Sequence, residues 1–290
     1  MRNIPSFRCF LALLLFSAVT ACTQEQPEQR DGFVDVGGAQ LYYQVAGTGP
    51  PVVLIHGANL DLRMWDEQME PLAASFRLIR YDVRPFGRSG PQSEGFSHVE
   101  DLGRLMDRLE IEQASLVGLS LGGRIALDFA LEHPERVRRM VLAGPGLTGF
   151  EQPRDPALAA AIAAARAGEP EQAAKLSLAM PYLAPAMEQA QLAGRVRRLV
   201  MENAHAWAMP RPPERLPDPP TIERLAEIHT PTLILLGERD TPGIHAIVAR
   251  LEHELANAER VTLPGVGHLP SMEAPTEFNR LVLDFFAQEE

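Results

Sequence analysis

An α/β fold, with a mostly parallel sheet covered by helices on both faces, is predicted by three features of this 290-residue chain. Short apolar runs at 51–55, 114–117 and 232–236 alternate with helical stretches, as strands do with crossover helices. The length is enough to bury one large core. Finally, Gly118-Leu119-Ser120-Leu121-Gly122 stands where an apolar strand gives way to an apolar-striped helix.

The elements follow in order. Pro51-Val52-Val53-Leu54-Ile55 is a buried strand that ends in His56-Gly57-Ala58-Asn59. Ala114 to Val117 is the next clear strand, and Gly122 to Ala130 the helix after it, so Ser120 falls on the turn between them. Glycine two residues to either side relieves the crowding of so sharp a turn. Val137 to Leu142 is a further strand. After it the strand pattern stops, and three helices are expected at Pro153 to Gly168, Glu171 to Met180 and Met187 to Trp207. Leu192, Val196, Leu199, Val200 and Trp207 fall on one side of the third, a stripe that suits packing and substrate contact alike. The Pro-rich run 210–220 reads as a stiff linker back to the sheet. Strands resume at Thr232 to Leu236, followed by Gly237-Glu238-Arg239-Asp240, and at Arg260 to Leu263, followed by Pro264-Gly265-Val266-Gly267-His268.

A serine hydroxyl is a poor nucleophile at neutral pH, so it needs a histidine to take its proton and a carboxylate to orient that histidine. Ser120, Asp240 and His268 occur in that order, each just beyond a strand. Asp240 also suits a turn or a helix N-cap, with Glu238 as the substitute acid, and His268 is one of eight histidines. Acyl transfer further needs two N–H donors for the oxyanion, assigned to the backbones of Ala58 and Leu121. A net charge of −11 without a basic stripe disfavours a nucleic-acid partner. No cofactor is expected, and no cluster has metal-ligand spacing.

With Tyr81-Asp82-Val83-Arg84-Pro85-Phe86-Gly87-Arg88-Ser89 added, residues 33 to 290 resemble the α/β-hydrolase superfamily. The segments around Ser120 and His268 look most like its small esterases, enol-lactonases and cofactor-free haloperoxidases. The resemblance implies about eight strands, with a helical cap inserted after the sixth. Core residues would be 33–146 and 216–290, and the cap 147–215, a lid whose inward face includes Trp207 and Leu199, with Leu269 below. It implies a Ser120–His268–Asp240 triad acting through an acyl-enzyme, and a loop shaped by hydrogen bonds of His56 beside Gly57. Members commonly carry glycine where this chain has Pro85, so that turn is expected to differ in detail. Related iminopeptidases show a glycine-rich loop unlike His56-Gly57-Ala58-Asn59, which counts against peptidase action.

The expected activity is hydrolysis of an ester, lactone or thioester of a small apolar molecule. Carbon–carbon bond hydrolysis and cofactor-free perhydrolysis on the same triad stay open, as does a non-catalytic, lipid-tethered binding protein. Nothing in the sequence sets the oligomeric state. At the N-terminus, Arg2 and Arg8 precede the apolar run Cys9 to Val19, too short for a stable span, so residues 1–21 read as a secretory signal. Val19-Thr20-Ala21-Cys22 resembles the bacterial lipoprotein box, in which Cys22 is lipidated; the alternatives are an ordinary cleaved signal or a short anchor. Residues 22–32 would then tether an exported, membrane-anchored enzyme. Thr23 in place of aspartate implies the outer membrane where the cell has one.

Overall fold

Side-chain alternation along the strands builds two cores, one on each face of a single sheet. The computed structural model describes Met1 and residues 30–288, apart from 94, 152–154 and 211. The expected signal, Cys22, most of the tether and Pro153 lie outside the described residues. The strands are β1 (Arg30–Asp35), β2 (Gln40–Ala46), β3 (Pro51–Ile55), β4 (Arg77–Tyr81), β5 (Ala114–Leu119), β6 (Val137–Ala143), β7 (Thr232–Gly237) and β8 (Ala258–Leu263). They lie in the order β1-β2-β4-β3-β5-β6-β7-β8. β2 pairs antiparallel with both β1 and β4, and all other pairings are parallel. This is the mostly parallel, eight-stranded architecture expected.

The helices are α1 (Asp66–Ala73), α2 (His98–Arg108), α3 (Leu121–Glu132), α4 (Pro156–Arg166), α5 (Pro170–Ser177), α6 (Ala184–Glu188), α7 (Ala190–Glu202), α8 (His205–Ala208), α9 (Pro242–Glu254), α10 (Pro270–Glu273) and α11 (Pro275–Ala287). On one face, Val53, Ile55, Leu116 and Ile234 pack under Leu105 of α2, Phe129 of α3 and Leu251 of α9. On the other, Val52, Leu54, Val117 and Leu235 pack under Leu72 of α1 and Phe278 and Val282 of α11. Both faces of the parallel strands are covered, which explains why they read as unbroken apolar runs. Among the described residues, no helix is long and apolar enough to cross a membrane.

Two expectations change. Residues 30–32, placed in the tether, open β1, where Arg30 sits opposite Val45 and the Tyr42 hydroxyl donates to Asp31 Oδ2 at 2.9 Å. Such a strand is polar and mostly exposed, so no hydrophobic period announces it. The helix expected at Met187 to Trp207 is divided among α6, α7 and α8. Gln189 takes an extended conformation between the first two. Asn203 closes α7 and ties its end to the core: Nδ2 donates to Leu199 O at 2.9 Å and to Asp61 Oδ2 at 2.7 Å, and Oδ1 accepts the Gly87 N–H at 2.6 Å.

Helices α4 to α8 form the cap between β6 and β7, continuous with the core beneath through Ala161, Ala173, Val196 and Leu199. Its two crossing points meet at one carboxylate. Asp128 of α3 accepts hydrogen bonds from Thr148 Oγ1 (2.7 Å), where the chain leaves the core, and from Thr221 Oγ1 (2.6 Å), where it returns. Ile222 N–H donates to Thr148 O at 3.0 Å, and Arg124 pairs with Glu214 at 2.6 Å. Burial pushes the Asp128 carboxyl up to about 6, against the pull of Arg124 and the two hydroxyls.

Candidate active site

Ser120 projects from the β5–α3 turn with φ 52° and ψ −108°, in a region that a non-glycine residue occupies only under strain. Surrounding bonds hold it there. Its N–H donates to Ala143 O at 3.0 Å, and its carbonyl accepts from Arg124 N–H (3.0 Å) and Gly146 N–H (2.9 Å). The flanking glycines are required by close approach: a Cβ on Gly118 would lie 2.4 Å from the Gly122 backbone, and one on Gly122 only 2.0 Å from Ile55 O. Gly122→Ala is therefore expected to lower stability by about 2–4 kcal/mol, because backbone must shift rather than a flexible side chain. Urea unfolding measures this; a midpoint equal to the wild type would show that α3 does not sit this close to β3.

His268 lies on the loop after β8, buried, with Nδ1 2.8 Å from Asp240 Oδ2. The other Asp240 oxygen accepts the Thr241 N–H at 2.6 Å, so both carboxylate oxygens are engaged and the group cannot swing away from the ring. Thr241, not Asp240, is the N-cap of α9. Glu238 is exposed and accepts the Gly265 N–H at 2.8 Å, while it is Asp240 that bonds the imidazole. Gly144 follows β6 with φ 45°, and a Cβ there would stand 2.9 Å from Asp240 Oδ2 and 3.0 Å from His268 Nδ1. The acid and base thus pack on a bare backbone.

Ser120 and His268 both line a cavity of about 170 Å³, with Gly57, Ala58, Asn59, Leu60, Leu119, Tyr182, Leu183, Val200, Thr241, Ile244 and Leu269. The Ala58 backbone reaches it through a tight turn, with Leu60 N–H on Gly57 O at 3.3 Å and Asn59 at φ 61°. Asparagine tolerates that left-handed conformation better than most residues. Leu121 opens α3, where first-turn N–H groups have no partner within the helix and carry its positive end. His56 lies beneath, fully buried: Nε2 accepts the Val83 N–H at 2.8 Å and Nδ1 faces Gly57 O at 2.8 Å. Val83 N can only donate, so Nδ1 carries the proton and the ring is neutral; burial pushes its pKa down in the same sense. Both nitrogens being used, His56 shapes the loop.

Two neighbours of the Ser120–His268 pair escape a reading of spacing alone. Tyr182, in the cap turn Pro181–Leu183, sets its ring 5.2 Å from that of His268 and its hydroxyl beside Asn59. Val200 reaches the cavity, whereas Leu199 and Trp207 do not: each is 4% exposed and packs in the core beneath the cap. Burying such side chains stabilises the fold by roughly 1.5–3 kcal/mol each, which is a sufficient reason for their presence. Arg84, before Pro85, is accounted for by Asp101, against which its guanidinium is buried with Nε on Oδ2 at 2.6 Å.

A family model described as the alpha/beta hydrolase fold matches residues 50–275. The chain is similar to a 2-hydroxy-6-oxononadienedioate/2-hydroxy-6-oxononatrienedioate hydrolase of Paraburkholderia xenovorans (strain LB400), 30% identical over 268 residues, which cover 87% of this chain and 92% of that one. Among solved structures, a hydrolase from Pseudomonas aeruginosa PA01 is 31% identical with a TM-score of 0.73, covering 88% of this chain and 98% of its own. The enol-lactonase from Burkholderia xenovorans LB400 is 25% identical, also at TM-score 0.73, covering 89% and 100%.

Proposed function

The chain belongs to the alpha/beta hydrolase fold family, and from that premise we propose that it hydrolyses a small, uncharged ester or lactone by two-step acyl transfer at Ser120. The observation that carries this reading is the cavity lining. Among the described residues it contains, beside Ser120 and His268, apolar side chains and the neutral polar groups of Asn59, Tyr182 and Thr241, with no arginine or lysine. A buried carboxylate without a cation is costly, so an anionic substrate would find no partner there. The volume, about 170 Å³, is below the roughly 300–1,000 Å³ usual for drug-sized ligands and suits a compact acyl group.

In this mechanism His268 takes the Ser120 proton as the hydroxyl attacks the carbonyl, and the Ala58 and Leu121 N–H groups receive the oxyanion. Asp240 holds the imidazole with Nε2 free and stabilises the imidazolium. That proton then passes to the departing alcohol. Water, activated by the same histidine, attacks the acyl-enzyme and releases the acid.

Carbon–carbon bond hydrolysis is the second reading, favoured by the name of the Paraburkholderia xenovorans relative. That relative's named substrate is a dioate, with two carboxylates to accommodate. The two readings separate in one assay. Neutral esters and lactones are expected to exceed 2-hydroxy-6-oxononadienedioate in kcat/KM by about 100-fold or more, the penalty for an unpaired charge in the site. The opposite ranking overturns the ester assignment in favour of carbon–carbon cleavage.

A further inference from the structure

We infer that Glu273 is a positioning residue for the base, holding the backbone on both sides of His268 and adding a second negative charge beside the imidazole. The inference rests on the proposed role of His268. Glu273 Oε2 accepts the Gly267 N–H at 2.7 Å, and Oε1 accepts the Leu269 N–H at 2.9 Å. One carboxylate therefore fastens the peptide groups before and after the histidine. The loop needs this: Gly265 has φ 70°, and Gly267 presents only backbone to Pro185 of the cap, where a Cβ would stand 2.6 Å from the ring. Two glycines within three residues of His268 leave that backbone free to drift unless something else holds it.

Helix capping is the plainer account of such a glutamate, since Leu269 is the N-cap of α10 and a carboxylate reaching back to that N–H is a familiar device. It explains the bond to Leu269. It does not explain the bond to Gly267, which lies outside the helix and upstream of the histidine. The two bonds together match a clamp on His268.

The ionisable groups around the ring are Asp240 on its Nδ1 side, Glu273 below the loop and the Tyr182 phenol from the cap. Gln189, also from the cap, contributes a neutral amide at 3.5 Å to Glu273 Oε2, and Arg239 is turned away onto Glu188 at 2.7 Å. Burial pushes the Glu273 carboxyl up, while the two amides and His268 draw it down. Asp240 thus bonds the imidazolium that forms when Ser120 gives up its proton, and Glu273, held on the amides to either side, interacts with its charge.

The test compares wild type, His268→Ala and Glu273→Gln in p-nitrophenyl acetate hydrolysis across about pH 5 to 9. A carboxamide offers one acceptor oxygen, so Glu273→Gln loses one of the two backbone bonds as well as the charge. It is expected to lose about 10-fold in kcat/KM at neutral pH, with the acid limb of the profile moved about half a pH unit lower. Circular dichroism and thermal melting accompany the kinetics. Should the glutamine variant not fold, Glu273→Ser, which admits water to both amides, takes its place with the same two expectations. An acid limb that stays in place overturns the inference, whatever the activity, because capping alone would not set it. His268→Ala keeps the two failures apart: full activity there overturns the proposed function, and its collapse leaves that function standing whichever way Glu273 falls.

Discussion

Ser120→Ala is expected to lower ester hydrolysis at least ~10³-fold while the protein remains folded. Alanine keeps the backbone preferences of serine, so the strained turn at φ 52° and its bonds to Ala143, Arg124 and Gly146 persist, and only the hydroxyl is lost. Residual turnover would come from the oxyanion donors and from His268 acting on water. Ser120→Gly should be equally inactive yet more stable by about 1 kcal/mol, because glycine occupies this conformation without strain. Purified variants assayed with p-nitrophenyl acetate and probed with a fluorophosphonate decide the matter. Wild-type turnover in Ser120→Ala, or its labelling at the wild-type rate, would remove Ser120 from the mechanism.

Asp240→Asn is expected to cost about 10³–10⁴ in kcat with little change in fold. The reason lies in the two acceptors already engaged, since one oxygen takes the Thr241 N–H and the other faces His268 Nδ1. Asparagine has one oxygen for both. If that oxygen keeps Thr241, the NH₂ faces Nδ1 and forces the proton onto Nε2, where it blocks acceptance of the serine proton. If the oxygen keeps His268 instead, the NH₂ opposes the Thr241 N–H and the turn into α9 is disturbed. Glu238→Gln is the control, expected to stay within about threefold of wild type since Glu238 only braces Gly265. Activity of Asp240→Asn within about tenfold of wild type, with a collapse in Glu238→Gln, would transfer the acid's role to Glu238.

Five of the parallel strands, the turn at Ser120 and the succession of Asp240 and His268 beyond later strands were legible because each leaves a local mark, an apolar run and then a turn carrying one chemical group; β4, Arg77–Tyr81, with two arginines in five residues, was not. What surrounds them was not. Leu199 and Val200 are adjacent on α7, and a helical period places both on one apolar side; both enter the core, and only the packing shows that Val200 also lines the cavity. Tyr182 sits in a three-residue turn with no period at all, and its meeting with Asn59 spans 123 positions of chain (182 − 59). Glu273 looks like an ordinary helix-start acid until the Gly267 bond is seen. The polar edge strand β1 was hidden for the opposite reason: its pairing is made by backbone, to which composition is blind.

The convergence of Thr148 and Thr221 on Asp128 bears on how such an enzyme diversifies. The two ends of the segment between those threonines are fixed to one carboxylate on the helix that follows the nucleophile, while Asp240 and His268 are carried by β7 and β8. The part of the chain that shapes the cavity from above can therefore vary between two fixed joints, so long as the side chains it shares with the core, such as Val196 and Leu199, are kept. New substrates can then be tried while β7 and β8 go on carrying the acid and the base.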